Sequence, residues 1–186
     1  MTDRGSERVA VVVPGRMYGP SAPLLMYGAD AAEARGARID RISWTDLAEL
    51  RDVGPLDAGP WVRAQVARAL DAVAPQRPLL IGKSLGTHAA LLAVERQLPA
   101  VWLTPLLMSD EIVDALRRAT APCLLVGGTR DPAWDGRLAR ELSPYVLEVD
   151  GADHGMYVPG PLAGSAEVLG RVATAVEGFL DDVVWP

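Results

Sequence analysis

Short apolar runs alternate along this chain with longer stretches of helical period, the order that builds a parallel sheet with crossover helices. Six runs stand out: Val9 to Val13, Ala37 to Ile42, Leu79 to Ile81, Val101 to Thr104, Cys123 to Val126 and Val146 to Val149. Several are continuously apolar rather than alternating, which predicts strands covered on both faces. The expected architecture is a three-layer α/β/α sandwich around a mainly parallel sheet of about six strands, with right-handed crossovers.

The helical stretches carry end signals as well as period. Ser109 stands as an N-cap, with Asp110 and Glu111 in the first turn and Arg117 and Arg118 in the last, charges that suit the two ends of the peptide dipole. From about Pro60 to Val73 the residues Val62, Val66, Leu70 and Val73 share one face. Val168, Val172, Val176 and Phe179 do the same from about Ser165 to Asp181. Pro20 to Arg35 predicts another helix, which Gly36 terminates. The stretch Trp44 to Gly59 is broken by Gly54, Pro55 and Gly59; Leu47 and Leu50 mark a short turn of helix there, placed to line a site. No repeat or composition break divides the chain, so residues 1–186 read as one domain.

Composition narrows the partners. Apolar residues make up 49% of the chain and charged residues 23%, and the net charge of −6 comes from interspersed groups. That balance supports solubility and argues against a nucleic-acid partner. Lys83 is the sole lysine, and the remaining basic residues are arginine, read as a bias of composition. A single cysteine, Cys123, rules out an internal disulfide and a thiolate zinc cluster. Met1 to Glu7 is polar without the pattern of a secretion signal, and no run approaches the ~20 apolar residues of a membrane span. The expected location is the cytoplasm, with no membrane partner.

The chemistry concentrates in Leu79-Leu80-Ile81-Gly82-Lys83-Ser84-Leu85-Gly86-Thr87, an apolar strand running into Gly-x-Ser-x-Gly and then a helix over Ala89 to Gln97. A sharp strand-to-helix turn lifts a serine hydroxyl above the sheet edge, and the flanking glycines let that turn close. The helix start adds N–H groups and partial positive charge that favour an oxyanion. Gly-Lys-Ser also invites a phosphate-loop reading, but Arg77 and Pro78 stand where that loop needs its first glycine.

A serine needs a base, and the chain has two histidines. His88 lies four residues beyond Ser84 on the same helix, where its ring points along that helix. His154 sits in the polar loop Asp150 to Met156 beyond the final strand, at the edge where open α/β sheets place their sites. His154 is the better base. Among carboxylates that would steady its ring, Asp131 follows the strand Cys123 to Val126 and is preferred; Asp135 is placed to open the next helix, and Asp153 is too near His154 in sequence.

The order Ser84, Asp131, His154 resembles the α/β-hydrolase superfamily, whose nucleophile, acid and base follow one another along the chain. In detail the chain is similar to small, lidless bacterial hydrolases of the dienelactone-hydrolase-like and minimal-esterase kind. The resemblance implies an oxyanion hole built from the N–H of Leu85 and one from the loop Pro14 to Gly19, with Arg16 the first choice and Met17 the second. It implies a serine hydrolase acting on a small carboxylic ester, thioester or lactone, without metal or organic cofactor. An acceptor other than water, or a silent hydrolase fold used for binding, remains an alternative. Tyr18, Trp134, Met156 and Tyr157 lie in loops expected to converge over Ser84, as a substrate pocket or as ordinary packing. With no cap inserted between Val101 and Cys123, the site should be shallow and favour small or flexible esters over long chains.

Overall fold

The computed structural model describes residues 7–74 and 76–186. Its strands are β1 (Val9–Val13), β2 (Arg38–Arg41), β3 (Leu79–Lys83), β4 (Ala100–Leu103), β5 (Cys123–Gly128) and β6 (Tyr145–Val149). They form one sheet in the order β2-β1-β3-β4-β5-β6, and every pairing is parallel. The helices are α1 (Pro23–Glu33), α2 (Gly59–Ala72), α3 (Ala90–Arg96), α4 (Asp110–Arg117), α5 (Gly136–Leu142) and α6 (Leu162–Phe179).

Alternation along the buried strands divides the core in two. Val9, Val11, Val13, Leu80, Trp102 and Leu125 meet α2, α3 and α4 on one side. On the other side Ala10, Val12, Ile81, Val101 and Val126 meet α1 and α6, the latter through Val168, Val172, Val176 and Phe179. A side chain enclosed in this way contributes about 1.5–3 kcal/mol, which is why strands with no polar face are stable only between two helix layers.

Elements fall close to the sequence reading. The last helix starts three residues sooner than expected, behind Pro161, because a backbone at φ −62 enters a helix without strain. Ser109 caps α4 by accepting from the Ile112 N–H. Trp102 is core, as its place in a strand implied. Among the described residues no helix is long and apolar enough to cross a membrane.

From β1 the chain crosses to β2 on one side and returns past β1 to β3 on the other. The loops leaving β1 and β3 therefore diverge at the carboxyl edge, and this switch point is where open α/β sheets hold ligands.

Candidate active site

Ser84 stands at that edge with φ 51, in the left-handed region that residues with a β-carbon rarely enter. Two glycines make the turn possible. A β-carbon on Gly82 would lie 2.5 Å from the Trp102 ring, and one on Gly86 would lie 2.6 Å from the Val13 carbonyl oxygen. The turn is thus pressed against both neighbouring strands. The helix expected from Ala89 is preceded by a tighter 3₁₀ segment over Ser84–Ala89, and Thr87 Oγ1 donates to the Ser84 carbonyl at 2.6 Å. The 3₁₀ winding satisfies backbone groups before α3 begins.

His154 Nε2 lies 2.8 Å from Ser84 Oγ, and its Nδ1 lies 2.7 Å from Asp131 Oδ2. The Asp131 carboxylate is buried, and its other oxygen accepts from the Ala133 N–H at 2.9 Å. The carboxylate is therefore held from behind while one oxygen faces the imidazole. The His154 loop is shaped by Asp153, which accepts from the N–H groups of Gly155 at 2.8 Å and Tyr157 at 3.0 Å, and by Met156 at φ 64. Asp135 instead caps α5 through the N–H groups of Arg137 and Leu138. His88 is fully buried, its Nε2 2.8 Å from the Pro55 carbonyl oxygen and its Nδ1 3.8 Å from Glu111 Oε2.

Lys83 is the residue that sequence reasoning passed over. Its Nζ donates to Thr104 Oγ1 and to the His154 carbonyl, both at 3.0 Å, and lies 4.7 Å from the centre of the Tyr18 ring. Only 2% of the residue is exposed. Burial pulls the ammonium down to about 8, against the pull of the Asp131 and Asp153 charges, which favour the proton. The signal was present in the sequence: a lone lysine closing an apolar strand immediately before Ser84 cannot escape to solvent when that strand is central.

A groove of about 310 Å³ runs past Ser84, walled by Gly15, Arg16, Met17, Tyr18, Lys83 and His154. The first wall is a tight turn in which the Gly15 N–H donates to the Tyr18 carbonyl at 3.0 Å. Trp44 Nε1 braces it by donating to the Gly15 carbonyl at 2.9 Å, and the Arg16 guanidinium donates to the Val53 carbonyl at 2.6 Å. The poorly patterned stretch from Trp44 thus supports the loop after β1, and its Leu47, Ala48, Leu50 and Arg51 line a further cavity of about 410 Å³ with Arg16 and Met17. Tyr18 Oη accepts from the Leu24 N–H at 2.8 Å, and burial raises the phenol above its ordinary value.

The four expected pocket residues separate. Tyr18 lines the groove, while Met156 and Tyr157, with Tyr18, line an adjoining cavity. Trp134 lines neither. Its indole lies on β5 over Gly127, where a β-carbon would meet the ring at 2.1 Å, and its Nε1 donates to Glu148 Oε2 at 2.8 Å. A glycine in the strand gives the ring a flat seat on β5.

No protein-family model matches the sequence, and no curated protein sequence matches it. Solved structures match over nearly the whole chain. Est1E from Butyrivibrio proteoclasticus with ferulic acid bound is 15% identical with a TM-score of 0.71, over 100% of this chain and 93% of that one. The esterase domain of a Rhodothermus marinus protein is 16% identical with a TM-score of 0.65, over 98% and 90%. An alpha-beta serine hydrolase homologue from Coxiella burnetii is 16% identical with a TM-score of 0.62, over 91% and 84%. The chain has the α/β-hydrolase fold, and among the described residues no cap domain covers its sheet edge.

Proposed function

We propose that this protein is a serine hydrolase that cleaves a small ester-like substrate, a carboxylic ester, thioester or lactone, through an acyl-enzyme. The observation that carries the reading is the imidazole of His154 bridging Ser84 Oγ and Asp131 Oδ2 at 2.8 and 2.7 Å. Three side chains from separate loops meet in the order in which proton transfer requires them.

Ser84 Oγ attacks the carbonyl carbon while its proton passes to His154 Nε2. Asp131 accepts the Nδ1–H of the imidazole, fixing the tautomer and stabilising the imidazolium that forms. The N–H of Leu85 and that of Arg16, or of Met17, receive the oxyanion; the Gly15 N–H is already spent on the turn. Each donor stabilises the tetrahedral intermediate by about 3 kcal/mol. The imidazolium returns its proton to the departing oxygen or sulfur, and water repeats the sequence on the acyl-enzyme to release the acid. No step calls for a metal or an organic cofactor. A neighbour of the same fold named an esterase domain, and another with ferulic acid bound, support acyl chemistry on a small molecule.

A fluorophosphonate phosphonylates a serine, with loss of fluoride, only when that serine is activated. Stoichiometric labelling of the native protein, absent from Ser84→Ala, is the expected result, together with hydrolysis of p-nitrophenyl acetate. An unlabelled native protein would overturn the reading.

A further inference from the structure

Beside the groove at Ser84 lies a second cavity, of about 230 Å³, between the His154 loop and the first turns of α6. Tyr18 and Gly155 belong to the walls of both, so the two spaces are neighbours. The remaining wall includes Pro23, Met156, Leu162 and Leu169.

Two of the three side-chain hydroxyls in that wall are already engaged, and the third belongs to Tyr157, which is half exposed. Tyr18 Oη takes the Leu24 N–H at 2.8 Å, and Ser165 Oγ takes the Val158 N–H at 3.1 Å and faces the Val158 carbonyl at 3.5 Å. An occupant with polar groups would surrender its water without replacing those hydrogen bonds. An occupant made of hydrocarbon loses nothing and buries apolar surface. The walls are also preformed, since Met156 is buried at its strained φ and Asp153 ties the loop down at both Gly155 and Tyr157.

We infer that this cavity receives an unbranched hydrocarbon arm of the substrate, roughly six to eight carbons long, while the carbonyl sits at Ser84. The inference rests on the hydrolase reading and adds the substrate class to it. Length follows from volume: an engineered apolar cavity of ~150 Å³ in another protein holds benzene, and this one is larger. The arm is uncharged, because among the described residues no lysine, arginine or histidine lines the cavity to meet a terminal carboxylate. The site is therefore not merely shallow, as the missing cap suggested: a side cavity supplies the depth that a lid supplies elsewhere.

The test is a series of p-nitrophenyl esters from acetate to laurate, run beside acetate esters of ethanol, hexanol and octanol. Transfer of each methylene from water into an apolar site is worth a factor of about three to four. The ratio kcat/KM should climb by about that factor per carbon and level off near eight carbons, in the acyl series if the arm is the acyl chain and in the alcohol series if it is the alcohol. A substrate ending in a carboxylate at the same length should lose the advantage. Leu169→Trp and, from an exposed helix position, Ala166→Trp fill the cavity and should collapse the octanoate-to-acetate ratio towards that of a flat series. Calorimetric titration of Ser84→Ala with 1-octanol and with ethanol reads the cavity without chemistry. Binding of octanol that Leu169→Trp abolishes supports the inference, and absence of octanol binding overturns it. Flat chain-length series with acetate still hydrolysed also overturn it while leaving the hydrolase intact; octanol binding without any ester hydrolysis instead overturns the hydrolase.

Discussion

The ammonium of Lys83 donates to the carbonyl of His154 at 3.0 Å, so the residue preceding Ser84 grips the main chain of the residue facing the Ser84 hydroxyl. Its other close neighbours are the Thr104 hydroxyl and the Tyr18 ring, while Asp131 and Asp153 act on it as charges. Lys83→Met keeps the bulk and removes the grip. Misplacing a reacting group by ~1 Å costs roughly 100-fold. We expect kcat to fall by about tenfold or more with KM little changed. Because the ammonium loses its proton at about 8, native kcat should decline above that pH as the charge-assisted bond weakens, and the variant should lack the decline. A pH profile of both proteins that shows the same alkaline limb would refute the role.

Stability should follow two opposed titrations. The Lys83 ammonium is lowered from 10.5 to about 8 by burial, so between those values the unfolded chain binds more protons and stability rises with pH. The buried Cys123 thiol is raised from 9.0 to about 11, so its contribution is complete below 9 and is lost as pH climbs to about 11. Urea unfolding across this range should show stability increasing from 8 and then turning over. Lys83→Met should abolish the increase, and Cys123→Ala should postpone the turnover.

Gly86 and Gly170 make a matched pair. A β-carbon at Gly86 would press on the Val13 and Pro14 carbonyl oxygens, 2.6 and 3.0 Å away, and backbone cannot swing aside. Gly86→Ala should destabilise by about 1–3 kcal/mol and reduce labelling by fluorophosphonate. At Gly170, within α6, nothing stands within 4 Å, so Gly170→Ala should stabilise by up to about 1 kcal/mol. Thermal unfolding separates the two.

The two histidines should divide activity from stability. His154→Ala should abolish ester hydrolysis while leaving the fold intact, and Asp131→Asn should lower kcat by roughly a thousandfold or more by spoiling the tautomer. His88→Ala removes a fully buried ring and its tie to Pro55, and should cost about 2 kcal/mol of stability with most of the activity kept. Loss of catalysis in His88→Ala at full stability would reverse the assignment.

The strands were legible because β1, β3, β4 and β5 are buried throughout, which leaves an unbroken apolar run in the sequence. The edge strand β2, Arg38–Arg41, was readable only from Ile39 and its flanks, since half of an edge is wet. Ser84, Asp131 and His154, with the His154 ring within hydrogen-bond distance of the other two side chains, were singled out from chain order and from the loops that carry them. Lys83 was not, because a lysine inside Gly-x-Ser-x-Gly reads as the variable position unless the strand's burial is known. Nor was the α6 wall of the cavity, because Leu162, Ala166 and Leu169 gain their meaning only once the loop after β6 folds back across them. The seat of Trp134 was not legible for a similar reason, its ring being held by Gly127 of another element.

The order of strands has a bearing on how the protein comes into being. Ser84 and His154 stand 70 positions apart, and the sheet adds β4, β5 and β6 outward between them. A nascent chain acquires its hydroxyl long before any base exists to take the proton. On the proposed mechanism, the molecule stays chemically mute until the outermost strand has zipped onto the sheet, so reactivity would itself announce that assembly is complete.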